Sequence, residues 1–203
     1  MSRLFLLAVA TLALAGCRIV SPQELADLKN PPNPQLANVG TSWQQKIVPQ
    51  IAHDARPPAE LMASLAAAKD FDSACQQFGY RSQPENPCVF AVRINGAVQT
   101  VDSASRSGKM TLKDRNGDIF TVQTGPVIRG TALRDGYKGA SYQDFNDQVL
   151  FGDYGKAINQ LAAAEVKKLQ PKPGDEIQVE GVFSSWDVPQ SLPPITPARV
   201  SRQ

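Results

Sequence analysis

Apolar side chains recur every three or four residues, at Trp43, Ile47 and Ile51 and again at Leu61, Leu65 and Ala68, the spacing that turns one face of a helix toward a core. Arg56-Pro57-Pro58 separates the two runs, so the pattern predicts two amphipathic helices flanking a proline break. A third, short helix is expected near Phe71 to Phe78, stopped by Gly79. From Cys88 the period changes. Val89, Ala91 and Val92 open a β-rich stretch that continues through Ala97 to Val101, Lys109 to Lys113 and Ile119 to Gln123. Arg115-Asn116-Gly117-Asp118 between the last two carries the Asn-Gly pair of a tight hairpin.

The pattern then returns to helix. Ser141-x-x-Asp144 predicts the cap of a long helix running to about Leu169, with Leu150, Tyr154, Ile158 and Leu161 as its core stripe. Phe145 and Val149 lie off that stripe, so the helix either buries two sides or bends near Gly152 and Gly155. Ile177, Val179, Gly181 and Phe183 alternate as another strand, and Ile195 to Val200 supplies a last one after a proline-rich excursion. Three strands, a long helix and two strands is the element order of a small partly open Greek-key barrel, the OB fold. A first strand bent near Gly96 suits such a barrel, because that strand runs through both halves of the sheet. The expected class is therefore α+β: an OB-like small β-barrel with a long helix between its third and fourth strands, preceded by a helical segment.

The first residues are an address rather than part of the fold. Arg3, the apolar run Leu4 to Ala15 and the small residues Ala15 and Gly16 form a secretory signal too short to span a bilayer. Leu14-Ala15-Gly16-Cys17 resembles the bacterial lipobox, in which the Cys is acylated and becomes the first mature residue. Arg18, standing where an acid would favour the inner membrane, points to the outer membrane. Ser21-Pro22-Gln23-Glu24 predicts a short helix near Glu24 to Leu28, ended by the cluster Asn30-Pro31-Pro32-Asn33-Pro34, a semi-rigid tether. The domain plan is a signal peptide over 1–16, a lipidated N-terminus and proline-rich tether over 17–40, a helical segment over 41–87 and the barrel with its inserted helix over 88–203.

Export changes how the remaining thiols read. In an oxidising compartment Cys75 and Cys88 pair by elimination, stapling a helix end to the first strand. The chain has 203 residues with 42% apolar and 20% charged side chains, enough for one globular domain with a core. A formal charge of +2 and 7% aromatic content give no footing for nucleic acid. One His and three Cys leave few ligands for a transition metal and little scope for His-based acid–base chemistry, so no cofactor and no catalytic residue is expected. Asp114, Asn116 and Asp118 have the opening spacing of a calcium loop, but Gly125 stands where its bidentate Glu belongs, so they read as turn residues. His53 reads as surface, Trp43 as core and Trp186 as exposed. A spatial pair of carboxylates of the glycosidase kind would not announce itself in the sequence.

Three segments together carry a resemblance: Phe71 to Arg81, the run Gly125-Pro126-Val127-Ile128-Arg129-Gly130-Thr131-Ala132-Leu133-Arg134-Asp135-Gly136, and Phe145-Asn146-Asp147-Gln148-Val149 leading to Ala157-Ile158-Asn159. With the lipobox in front, the chain resembles the predicted periplasmic lipoproteins catalogued as domain of unknown function 2291. The resemblance implies a periplasmic lipoprotein without established enzymatic activity, often encoded beside sugar-uptake transporters of the ATP-binding-cassette type. It does not extend to the cysteine pair, whose bridge rests on the compartment alone. The expectation is a non-enzymatic module, joined to the membrane by its N-terminal lipid and to an envelope protein or transporter component; the alternative is a binder of sugars or anions, and a further alternative is a hydrolase with an unannounced carboxylate pair. Arg129, Thr131, Arg134 and Asp135 are the candidate group on a groove, through two guanidinium forks, with Asn146 and Gln148 beside them. The competing reading has Arg129 and Arg134 pointing to solvent or pairing with Asp135 and Asp144, and the amides satisfying strand-edge backbone groups.

Overall fold

The computed structural model describes Ser21, Pro22, Leu25 and residues 33–203. The chain divides into two compact units, residues 1–33 and 34–203. In the first, the Leu25 N–H donates to the Ser21 carbonyl at 2.9 Å, one helical turn at the expected helix start. The signal segment, Cys17, the rest of that helix and residues 30–32 of the proline cluster lie outside the described residues.

The second unit opens inside the stretch read as tether. Pro34 starts helix α1 (Pro34–Ala37), where its missing N–H costs nothing, and α2 (Val39–Ser42) follows. A π-helical turn, Trp43–Ile47, leads into α3 (Val48–Asp54). Pro49 cannot donate to the preceding turn, and there the Val48 N–H reaches back five residues to Trp43. Helix α4 (Pro58–Ala67) begins on the last proline of the break, which stands at the first helical position, and α5 (Phe71–Phe78) starts where the Asp70 carboxylate accepts from the Ser73 N–H at 2.7 Å. It ends at Gly79, where the backbone turns extended, and only glycine fits because a side chain there would stand 2.6 Å from Cys88 Sγ and 2.8 Å from the Phe90 ring.

Six strands follow: β1 (Gly79–Tyr80), β2 (Cys88–Val101), β3 (Ser107–Lys113), β4 (Ile119–Pro126), β5 (Glu176–Ser185) and β6 (Thr196–Arg202). The sheet is antiparallel in the order β4-β3-β2-β5-β6, with β1 added to β2. Strand β2 pairs with β5 from Cys88 to Ala97 and with β3 from Ala97 to Val101. Gly96 makes the change of partner possible, since a Cβ there would meet the Lys113 carbonyl at 2.6 Å, and a register shift follows between Val98 and Thr100. The sheet curls until its ends meet in parallel: Gln123 N–H donates to Ile195 O at 2.9 Å and Ile195 N–H to Thr121 O at 2.8 Å. Strands β2 to β6 therefore form the OB-like barrel. The β3–β4 hairpin is held by the Asp114 carboxylate, which accepts from the N–H groups of Asn116 and Asp118, each at 2.9 Å, with Gly117 at φ +93°.

Alternation along β2 sorts the interior into two cores. Phe90, Val92 and Ile94 point into the barrel with Met110, Leu112, Val179 and Phe183, under Leu61 and Leu65 of α4. Val89 and Ala91 point the other way, to Trp43, Ile47 and Ile51 and to the long helix. Val182 joins them, so β5 is buried on both faces. On the outer surface the buried Glu180 carboxylate bridges Arg93, at 2.8 Å, and Arg199, whose Nε lies at 2.7 Å.

Helix α6 (Ala132–Asp135), a single 3₁₀ turn (Tyr142–Asp144) and α7 (Gln148–Leu169) fill the connection between β4 and β5. The expected helix start is displaced. Ser141 and Asp144 do form a capping box, but it closes only the 3₁₀ turn; α7 begins at Gln148, where the Asp147 carboxylate accepts from Val149 and Leu150. Asn146 lies between them at φ +49°, off the helix, and Phe145 is buried against Phe151 and Tyr154 with ring centroids 5.3 and 5.0 Å away. Val149 is 70% exposed, and α7 runs unbroken past Gly152 and Gly155. Among the described residues no helix is long and apolar enough to cross a membrane.

Candidate functional site

The run from Gly125 to Gly136 is strapped down from three sides. Gly125, at φ +83°, passes so close to α7 that a Cβ would lie 2.9 Å from that of Ala163. Gln123 accepts from the Arg129 N–H at 2.8 Å and donates to Thr196 Oγ1 at 2.9 Å, while Asn159 of α7 donates to the Gly130 carbonyl at 2.9 Å. These straps place the candidate residues. Arg129 turns away and its Nε donates to Ser107 Oγ at 2.9 Å. Thr131, Arg134 and Asp135 come together: Thr131 Oγ1 donates to Asp135 Oδ2 at 2.5 Å, and Arg134 gives Nε and Nη2 to Oδ1 at 2.8 and 2.7 Å. The Arg134 guanidinium lies 3.8 Å above the Phe151 ring, with Gly155 leaving room for its stem.

The arrangement differs from two open forks. Arg134 is consumed by Asp135 and Phe151, while Asp144 accepts from Ser141. Asn146 stands apart in its left-handed link, and Gln148, the first residue of α7, lines the same concavity as Arg134.

That concavity is a groove of about 570 Å³. One wall is Ser82, Gln83 and Asn86, from the loop between β1 and β2; the other is Ser141, Tyr142, Gln143 and Gln148, with Phe151 and the Arg134–Asp135 pair behind. The Cys75–Cys88 disulfide, joining α5 to the first residue of β2 across a Cα–Cα distance of 5.9 Å, fixes the ends of the first wall. Arg81 holds it further, donating to Asp72 at 2.8 Å and to the Pro84 carbonyl at 3.2 Å. The charges in the lining cancel. What faces outward is a set of neutral amides and hydroxyls around the Tyr142 ring, which is 47% exposed and meets Phe151 edge-on at 5.8 Å. None of the loop residues carries a periodic signal, and the only hint of them in the sequence is the proline-containing loop between the cysteines.

A second cleft, about 440 Å³, lies between α3, α5 and the loop after α6. It is crossed by the pairs Lys138–Asp54 at 2.8 Å and Arg56–Glu60 at 3.1 Å. Burial works to raise the Asp54 carboxyl pKa, but hydrogen bonds from Lys138 and His53 outweigh it, and the group ends below its ordinary value. His53 lies at the surface as expected, 88% exposed, and sits 3.0 Å from Asp54. Among the described residues no cluster of His, Cys, Asp and Glu is disposed to hold a metal ion.

Residues 7–201 match the predicted periplasmic lipoprotein family called domain of unknown function 2291. The chain belongs to this family. Membership gives a periplasm-facing place in the cell envelope. The fold has a relative of known structure in an OB-fold protein from Thermotoga maritima MSB8, similar at a TM-score of 0.62 and 13% identity, over 83% of this chain and 97% of that one. No curated protein matches the sequence.

Proposed function

We propose that this lipoprotein is a non-enzymatic accessory module, tied to the membrane by acyl chains on Cys17, that recognises an envelope partner protein through the groove between the Ser82–Asn86 loop and the start of α7. The lining carries the reading: neutral hydrogen-bonding side chains and one half-exposed ring face out, while the only charged pair is locked on itself. Acid–base catalysis needs a titratable group aimed at the substrate, and here Arg134 and Asp135 are aimed at each other. Neutral rims around an aromatic anchor suit a protein contact. The family's association with sugar-uptake transporters makes a solute-uptake assembly the place to seek the partner, and Arg18 favours the outer membrane as the anchor site.

Crosslinking in cells followed by co-purification tests this. The wild type recovers one reproducible envelope protein, and Tyr142→Ala with Gln148→Ala loses it; recovery of nothing reproducible, or equal recovery by the variant, rejects the groove. The Tyr142 ring flanked by amides also favours a second reading, a small neutral polyol. A ligand at about 100 times its Kd adds about 2.7 kcal/mol, so a melting panel over neutral sugars shows a shift of about 5–10 °C if that reading holds, and stays flat, or shifts only with phosphates, if it fails.

A further inference from the structure

A larger and chemically different groove, about 910 Å³, runs along the other end of α7. Its floor is Val101 at the end of β2, Pro126 at the end of β4, and Ala163, Ala164 and Val166 of α7, and the surface it offers is mainly apolar. It closes at the link after α7, against Pro171 and Pro173. The charges in its lining are Lys167 and Lys172, and no carboxylate is among them. The nearest acid on that link, Asp175, is already engaged, accepting from Arg202 at 3.0 Å and from the Lys172 N–H at 3.0 Å.

We propose that this groove binds one long-chain fatty acid as its anion, the acyl chain lying over Val101, Ala163 and Val166 and the carboxylate between Lys167 and Lys172. Charge complementarity chooses the ligand. Beside the two lysines the lining carries only neutral polar side chains, Ser103, Thr124, Gln160 and Gln170, so a neutral polar solute finds hydrogen bonds but leaves both the cations and the apolar floor unanswered, a cation is repelled, and an amphiphilic anion satisfies both parts at once. Its volume stands near the top of the roughly 300–1,000 Å³ range of small-molecule sites. The concave shape takes a chain rather than a bilayer surface, which would call for protruding apolar side chains. A lipoprotein working at a membrane surface has such amphiphiles within reach. The inference does not rest on the partner reading above, because the two grooves share no lining residue.

The test uses the mature chain from residue 17 carrying Cys17→Ser, so that no covalent acyl chain competes, with dansyl-undecanoate as the fluorescent probe and palmitate and hexadecanol as competitors. The expected result is saturable blue-shifted emission, displaced by palmitate at one site, with hexadecanol at least about tenfold weaker because it lacks the charge. Ala164→Trp fills the trough from an exposed position and weakens palmitate at least about tenfold. Lys167→Glu with Lys172→Glu weakens palmitate by a similar factor of about ten and leaves hexadecanol unchanged. Absence of saturable binding overturns the proposal, as does equal affinity for palmitate and hexadecanol. If Ala164→Trp fails to fold, the lysine pair, both exposed, decides alone: unchanged palmitate affinity there also overturns it.

Discussion

Truncating Arg134 separates a brace from a ligand fork. Its side chain is 14% exposed and that of Asp135 25%, so the ion pair is largely desolvated. Arg134→Ala removes a stacking contact at 3.8 Å, worth about 2 kcal/mol when shielded from water. It also removes charge-assisted bonds worth about 1.5–3 kcal/mol and leaves the Asp135 carboxylate with Thr131 as its remaining partner. The contributions overlap because one guanidinium makes both, so the expected loss is about 3 kcal/mol. For a domain of this size that lowers Tm by about 6–12 °C, read by thermal and urea unfolding. Gly155→Ala supplies the coupling. A Cβ at Gly155 would press on Arg134 Cδ at 3.3 Å, which offsets the roughly 1 kcal/mol gained by replacing glycine inside a helix. In the Arg134→Ala background that pressure is gone and the full gain of about 1 kcal/mol returns. A loss below about 1 kcal/mol for Arg134→Ala, or strict additivity with Gly155→Ala, would refute the bracing role.

Reducing the Cys75–Cys88 bridge, or replacing both cysteines by alanine, lowers stability by about 3 kcal/mol in the chain-entropy model, and a Tm unchanged by reductant would contradict this. Glu180→Ala leaves Arg93 and Arg199 facing each other across β5; because the Arg199 side chain is 51% exposed and can rehydrate, the cost lies near about 3 kcal/mol, the low end for a broken buried pair, measured by urea unfolding. Tyr154 is fully buried and its hydroxyl has no hydrogen-bond partner among the described residues, so Tyr154→Phe stabilises the fold by about 1 kcal/mol. Burial, with the nearby Tyr137 and Asp144, pushes the Tyr154 pKa from 10.0 up to about 12. Its native form is the neutral phenol, so that contribution is complete below pH 10 and lost as the pH rises through about 12; unfolding curves across that window should fall more steeply for the wild type than for Tyr154→Phe.

The barrel was largely legible in the sequence because each of its strands carries a local signal. Alternation marks β3, β4 and β5, Asn116-Gly117 marks their hairpin, and Gly96 marks the strand shared between both halves of the sheet. The helix stop at Gly79 was legible for the same reason, whereas the cysteine staple was legible only through the oxidising compartment, which leaves Cys75 and Cys88 to pair with each other. The start of α7 was not, because Asp144 and Asp147 both carry capping chemistry three residues apart. The choice falls to Phe145, which is buried between Phe151 and Tyr154 and leaves Asn146 to turn the chain at positive φ. The groove was legible only by half. Arg134 and Asp135 are neighbours in the sequence, but Phe151 beneath the guanidinium comes from the next long helix, and Ser82, Gln83 and Asn86 arrive through a disulfide from a loop with no period.

Everything proposed for this lipoprotein assumes that it works at a membrane surface on the oxidising side of the envelope. Intact mass spectrometry of the chain purified from washed membranes tests that most directly. The account requires a protein beginning at residue 17, carrying a diacylglyceryl group and one further acyl chain, with no free thiol at Cys75 or Cys88, and reduced to a non-acylated soluble species by Cys17→Ser. An uncleaved, unmodified chain of 203 residues recovered from the cytosol with both thiols free would contradict it.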